Sequence, residues 1–133
     1  MRIEVTSADT ERDHGYMELP ELVRAVLAGD LIAARQWVAD AYRENLQWEQ
    51  LDRPSELDDR EMSVAAGMAE LLALRRGATP PAWTITVGPW GEPIVLDPGL
   101  KDMPRSFAHA KIAGPEPLRK RNLLALPDFL DVA

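Results

Sequence analysis

Leu19-Pro20-Glu21-Leu22-Val23-Arg24-Ala25-Val26-Leu27-Ala28-Gly29-Asp30-Leu31 is the stretch that decides the class of fold. Leu19, Leu22, Val23, Val26 and Leu27 recur at the i, i+3, i+4, i+7, i+8 spacing of one apolar stripe, which is a helical period and not that of a strand. Pro20 is tolerated because the first turn of a helix has no use for the amide that proline lacks. The spacing predicts a helix over residues 19–28. Gly29 stops it, and Asp30 offers a side-chain oxygen to start another. So short a link forces the two helices into a tight corner or hairpin.

The second helix is expected over residues 31–47. Leu31, Ala34, Trp37, Val38, Ala41, Tyr42 and Trp48 share one arc, widened by Ile32, Ala39 and Leu46. Gln36, Asp40, Arg43, Glu44 and Gln47 form a narrow wet face. An arc this wide suits a central helix packed on more than one side. Pro54-Ser55-Glu56-Leu57-Asp58 opens a third helix, with Ser55 and Asp58 at capping-box spacing. It should run to residue 76 and stop at Gly77. Leu57, Val64, Ala65, Met68, Leu71 and Leu72 make its stripe, and Arg75 and Arg76 suit the negative end of the helix dipole.

Past Gly77 the texture changes to a proline-punctuated, aromatic-anchored tail. Trp83, Ile85 and Val87 alternate with Thr84 and Thr86, which is a short strand pattern. Ile94-Val95-Leu96 is a second, and the prolines of Gly88-Pro89-Trp90-Gly91-Glu92-Pro93 between them confine any pairing to an edge. A short helix is expected over residues 104–113, another after Pro115 or Pro117 carrying Leu118 to Arg121, and a last turn at Phe129, Leu130 and Val132. The fold expected is mainly α: a three-helix domain with a long proline-punctuated C-terminal segment holding short strands or turns and short helices. The 133 residues make one domain. It divides into an arm at residues 1–17 with a short strand at 3–5, a helical core at 18–77, and a wrapping segment at 78–133.

Composition excludes more than it selects. With 46% hydrophobic residues the chain can build a core. It has no cysteine, which removes thiol catalysis and zinc–thiolate or iron–sulfur sites. No secretory leader or membrane-length apolar run is visible, so a cytoplasmic protein is expected. Residues 1–76 carry nine arginines and no lysine against sixteen acidic residues, whereas residues 77–133 balance six against six. The acidic half repels phosphates; it either attracts a basic protein partner or, as acidic surfaces commonly do, keeps a small domain in solution.

Few side chains suggest chemistry. His14 and His109 have no companion at metal-ligand spacing, so neither metal nor other cofactor is expected. Asp58, Asp59 and Glu61 cluster where a helix start favours negative charge in any case. A small enzyme using that carboxylate cluster is the rival reading, and a self-associating scaffold a third. No phosphate-binding loop or nucleophile elbow is present. Arg119-Lys120-Arg121-Asn122 is the one dense basic run. Without interleaved aromatics in an acidic chain it points away from nucleic acid and towards acidic helices or a partner.

Two further expectations follow from the pattern. Arg35 and Glu61 each interrupt an apolar stripe at the same wheel position, so they are expected to form a partly buried pair joining the second and third helices, unless Arg35 lays its stem on the stripe and carries its head to solvent. Trp83, Trp90 and Phe129 lie in segments too rich in proline to build a core of their own. They should anchor the tail, and full burial of Trp83 would make Trp83→Ala cost about 3–5 kcal/mol.

Pro81-Ala82-Trp83-Thr84, Glu92-Pro93, Glu116-Pro117-Leu118-Arg119-Lys120-Arg121-Asn122 and Phe129-Leu130-Asp131-Val132-Ala133, with residues 28–38, resemble a family of small bacterial proteins. Members of that family partner nucleotidyltransferase-like toxins in two-gene toxin–antitoxin operons. The resemblance supplies no catalytic residue. It implies a non-catalytic antitoxin-like protein that binds and silences a cognate toxin by occlusion. The partner-binding candidates are then Trp83, Trp90, Arg119, Lys120, Arg121, Asn122, Phe129 and Leu130.

Overall fold

The structure is a computed structural model that describes residues 18–132. The expected arm at residues 1–17, its strand and His14 lie outside the described residues. The fold is mainly α. Its helices are α1 (Leu19–Leu27), α2 (Leu31–Arg43), α3 (Asp59–Arg75), α4 (Pro104–Ala113) and α5 (Glu116–Arg119), joined by two two-residue strands, β1 (Ile94–Val95) and β2 (Leu123–Leu124).

The first three helices end by one device. Gly29, Asn45 and Gly77 take positive φ angles of 76°, 56° and 69°. In each case the next residue's amide returns to a carbonyl five positions back: Asp30 to Ala25, Leu46 to Ala41 and Ala78 to Ala73, at 2.9–3.1 Å. This is the left-handed cap that satisfies the last free carbonyls of a helix. Asn45 was not read as such a cap from the sequence, so α2 stops at Arg43 and not at residue 47. Trp48 is nevertheless buried, on a 3-10 helix of its own.

The start of α3 is also three residues later than expected. Asp58 caps it, with Asp58 Oδ1 accepting from the Glu61 amide at 2.8 Å and Glu61 Oε1 accepting from the Asp58 amide at 3.0 Å. Asp58 with Glu61 outcompetes Ser55 with Asp58, because a glutamate reaches back to the cap amide more easily than an aspartate. Asp58→Ala is expected to lower stability by about 1 kcal/mol in urea denaturation; no change would mean that the cap is replaced by water.

Helix α3, and not α2, is the central helix. Residues 62–69 and 71–73 are buried right round its circumference. Ser63, Ala65, Ala66, Gly67, Ala69 and Ala73 are small, so neighbours approach from every side while the apolar stripe looks narrow. Helix α2 keeps an open face, with Ile32 83% exposed, and it packs chiefly on α1, which also packs on α3. That arrangement overturns the Arg35–Glu61 pair. The two residues make no ion pair with each other: Arg35 is exposed on α2, and the Glu61 carboxylate is engaged in the cap of α3. A double-mutant cycle between them is expected to be additive within about 0.5 kcal/mol.

The tail wraps α3. The alternation at Trp83 to Val87 forms a 3-10 helix, Ala82–Thr86, in place of a strand. Thr84 Oγ1 donates to Pro81 O and Thr86 Oγ1 to Trp83 O, both at 2.8 Å. Such local bonds from threonine compete with strand pairing. The second expected strand exists as β1, in parallel register with β2: Ile94 opposite Leu123, Val95 opposite Leu124. Its amides at Ile94 and Leu96 donate to Asn122 O and Leu124 O at 2.8 and 2.9 Å. Helix α4 covers a small separate cluster of Leu100, Ala110 and Leu124.

Gly67 sets how close the tail can come. A Cβ there would stand 2.7 Å from Leu123 Cδ1 and 3.0 Å from Leu118 Cδ2. The glycine gives up helix propensity in exchange for contact between α3 and the α5–β2 segment.

Candidate functional site

The residues expected to meet a partner lie along the tail where it wraps α3, and three of the eight are buried there. Arg121 is only 3% exposed. Its guanidinium donates to four acceptors: Nε to Val87 O (3.2 Å), Nη1 to Glu70 Oε1 (2.6 Å) and Pro117 O (2.7 Å), and Nη2 to Thr84 O (2.8 Å). The planar fork of arginine can serve several acceptors at once, which a lysine cannot. Glu70 Oε2 accepts from Lys120 Nζ at 2.9 Å, so one carboxylate in the middle of α3 receives two cations from the run. Arg119 Nε donates to Gly114 O at 3.0 Å, and Asn122 Nδ2 donates to Trp90 O at 2.9 Å. Asn122 has φ 62°, which asparagine tolerates better than most residues, and it turns the chain into β2.

The assignment of these residues as a partner surface is therefore corrected for Arg121, Phe129 and Leu130. All three are buried, Phe129 at 4% and Leu130 at 1% exposure. Burying them stabilises the fold itself, because the tail has no other core to join. Arg119 and Lys120 keep exposed stems, and Trp83, Trp90 and Asn122 are half-buried. Trp83 Nε1 donates to Leu51 O at 2.8 Å, so its ring ties the tail to the connector between α2 and α3. Since burial is partial, Trp83→Ala is expected to cost about 2 kcal/mol, below the full-burial range. Thermal melts would show this; an unchanged midpoint would mean that the ring contributes nothing.

Two functional side chains escaped the sequence reading. One is Glu70, the single carboxylate within a nearly continuous buried run. The other is Arg75, read there only as a dipole partner. Its Nη1 donates to Phe129 O at 2.6 Å and its Nη2 to Pro127 O at 3.1 Å, closing the last turn of the tail onto α3. An acid in the middle of the most buried helix, past its acidic first turn, and a lone basic run in the tail were the available signal.

Burial pushes the Glu70 carboxyl up, but the hydrogen bonds from Lys120 and Arg121, aided by their charges, outweigh it and hold the carboxyl below its ordinary range. A depressed folded-state pKa favours the folded chain once the carboxyl is ionised in both states. The contribution is therefore full above the unfolded-state value, about 4.3, and is lost as pH falls through the lower folded value. Acid denaturation monitored by circular dichroism should be shallower below about pH 4 for Glu70→Gln than for the unchanged chain. Equal slopes would mean that Glu70 does not couple to folding.

The Asp58, Asp59 and Glu61 cluster does not converge on one point. Asp58 and Glu61 cap each other's amides, and Asp59 faces a surface cleft. His109 is exposed on α4. Among the described residues no three His, Cys, Asp or Glu side chains lie in a metal-holding group, and no helix is long and apolar enough to cross a membrane.

The connector between α2 and α3 opens onto two clefts. One, of about 800 Å³, is lined by Leu19, Pro20, Leu46, Leu51 and Pro54 with Glu18, Asp52 and Glu56 among its polar residues. The other, of about 440 Å³, is lined by Asp59, Met62, Ser63 and the Thr86–Gly91 loop, including Trp90. Arg53 borders both, and its Nη1 lies 3.4 Å from Thr86 Oγ1. Beyond the core, Tyr42 carries the Arg76 guanidinium 4.6 Å above its ring and meets Trp48 edge-on at 6.1 Å. Burial raises the Tyr42 hydroxyl pKa, and Arg75 and Arg76 pull it partly back.

Comparison with protein-family models, with curated proteins and with solved structures finds no match to this chain.

Proposed function

We propose that the chain is a non-catalytic, antitoxin-like protein that binds a basic protein partner, a nucleotidyltransferase-like toxin, and silences it by covering its working surface. One observation carries the reading. Two cations that could offset the acidic half are taken up by the fold itself, where the buried Arg121 serves Glu70 and Arg75 serves the tail. Over residues 18–76 nine acidic residues are exposed against six arginines, so the surface of this half stays net acidic. An acidic exterior on a small domain steers a basic partner and speeds its capture. The resemblance of the tail to antitoxin partners supplies the class of partner.

The test is reconstitution. The chain is used to capture its partner from the native host, and the partner is then expressed alone and with the chain. The expected result is growth arrest by the partner alone, relief on co-expression, and a complex whose association slows as salt is raised. A partner that is harmless alone, or a complex indifferent to salt, would overturn the proposal.

A further inference from the structure

The two clefts along the connector are neighbours, since Arg53 borders both. The larger has an apolar floor, with Leu19 and Pro20 buried and Leu46, Leu51 and Pro54 half-buried. The exposed Glu18, Asp52 and Glu56 also line it, and the exposed Asp59 lines the second cleft. Pro89 and Trp90 line the second cleft as well. Against these four acids the lining offers one cation among the described residues, Arg53. Arg24, outside the lining, meets Glu56 at 3.3 Å, in a pair with both side chains more than half exposed. Such a pair contributes little and is easily exchanged for another cation.

The trough is held in shape by the tail. Trp83 fixes Leu51 through its indole N–H, and Ser63 Oγ, 3% exposed as a residue, donates to Gly88 O at 3.0 Å. Asn122 holds the Trp90 carbonyl. Ile85 projects from the intervening 3-10 helix, 86% exposed. Buried and half-buried apolar residues lined with exposed carboxylates, in a cleft adjoining one that holds an indole, fit a chain whose aliphatic groups sit down while its cations stay in water. Arginine and lysine do this with one side chain each, laying an apolar stem along the floor and a charged head in water, and an indole face adds to the attraction for a cation.

We propose that this trough docks an extended, arginine- and lysine-bearing segment of the partner protein; this rests on the antitoxin-like reading and names the chemistry that the partner must present. Charge complementarity selects the occupant. An acidic segment, including a second copy's acidic half, would bring like charges together.

The experiment uses the full chain and a fluorescein-labelled peptide of arginine and leucine, about ten residues long so that it can span about 30 Å when extended. A glutamate-for-arginine peptide is the control. Fluorescence anisotropy should show binding of the arginine peptide alone. Asp52→Lys with Glu56→Lys should weaken it at least tenfold, and Asp52→Asn with Glu56→Gln by less. Ile112→Ala, on the remote α4, should leave it unchanged. These positions are exposed, so the variants should fold, and their circular dichroism confirms it. Equal binding of both peptides, or of the arginine peptide by the lysine variant, would overturn the assignment. Should the chain capture and neutralise a partner while the trough variants change nothing, the trough assignment falls and the functional reading stands. Should the arginine peptide bind as described while no partner is neutralised, the trough stands and the functional reading falls.

Discussion

Arg121→Ala should lower the melting temperature by roughly 10–20 °C, corresponding to a loss of about 3–5 kcal/mol. The substitution strips Glu70 Oε1 of its closest donor and leaves the carbonyls of Thr84, Val87 and Pro117 without the guanidinium they share. Each buried acceptor left unpaired carries its desolvation cost. Replacing both charges, as Glu70→Met with Arg121→Met, should not restore stability. In a simple buried ion pair the double apolar change can be nearly neutral. Here three backbone carbonyls depend on the same side chain, and they would remain unserved. Arg121→Lys should recover only part of the loss, since one ammonium cannot serve acceptors spread around a planar fork. Urea denaturation of the four proteins checks this; a double variant as stable as the unchanged chain would reduce the arginine to an ordinary ion-pair partner.

Gly114→Ala is the second large effect. Gly114 ends α4 with φ −61° and ψ 162°, a conformation open to any L-residue, so the cost is not one of backbone preference. It is one of space. A Cβ at Gly114 would stand 2.6 Å from Ala125 O and 2.7 Å from Ala110 O. Both are main-chain atoms, and they cannot swing aside as a side-chain end can. Helix α4 must then move off the strand pair, at about 2–3 kcal/mol. Gly67→Ala offers the contrast. Its nearest contacts are the methyl ends of Leu123 and Leu118, which can shift, and alanine recovers about 1 kcal/mol of helix propensity. The glycine in the loop should therefore matter more than the glycine in the helix. The reverse order in thermal melts would show that α4 is free to move and that α3 is not.

The helices of the front half were legible because periodicity and stop signals agreed. Leu19, Leu22, Val23 and Val26 are all buried, as their spacing required, and Gly29 and Asp30 act as the stop and the cap. What failed was ranking the helices. Trp37 and Tyr42 made α2 look central, whereas centrality belongs to the helix whose small residues admit neighbours on every side. Alanine and glycine scarcely register on a hydrophobic wheel, so the stripe of α3 understated its burial. The Arg35–Glu61 expectation failed for a related reason. Matching wheel positions say nothing of whether two helices face each other, and α1 occupies the place that the pairing needed.

The tail was legible in its parts and not in its pairing. The short helices at residues 104–113 and after Pro115 were marked by their prolines. The parallel match of β1 with β2 was not, because the partners are separated by α4 and α5 and two-residue strands carry no register signal. The basic run was visible from composition alone. Its direction was not: whether Arg121 points to solvent or to Glu70 depends on where the chain turns at Asn122, and positive φ at an asparagine is not written in the pattern of charges.

The central claim is that the tail and the helices form one cooperative unit without a partner, so that the chain presents its acidic exterior and keeps Arg121 inside. Native-state hydrogen exchange of the isolated chain tests it most directly, at the amides of Ile94 and Leu96, which donate across the β1–β2 pair. The expected result is exchange at the free energy of global unfolding, shared with the buried centre of α3. Exchange of these two amides at free-peptide rates, with α3 still protected, would contradict the claim and return Arg121 to the surface as a residue awaiting its partner.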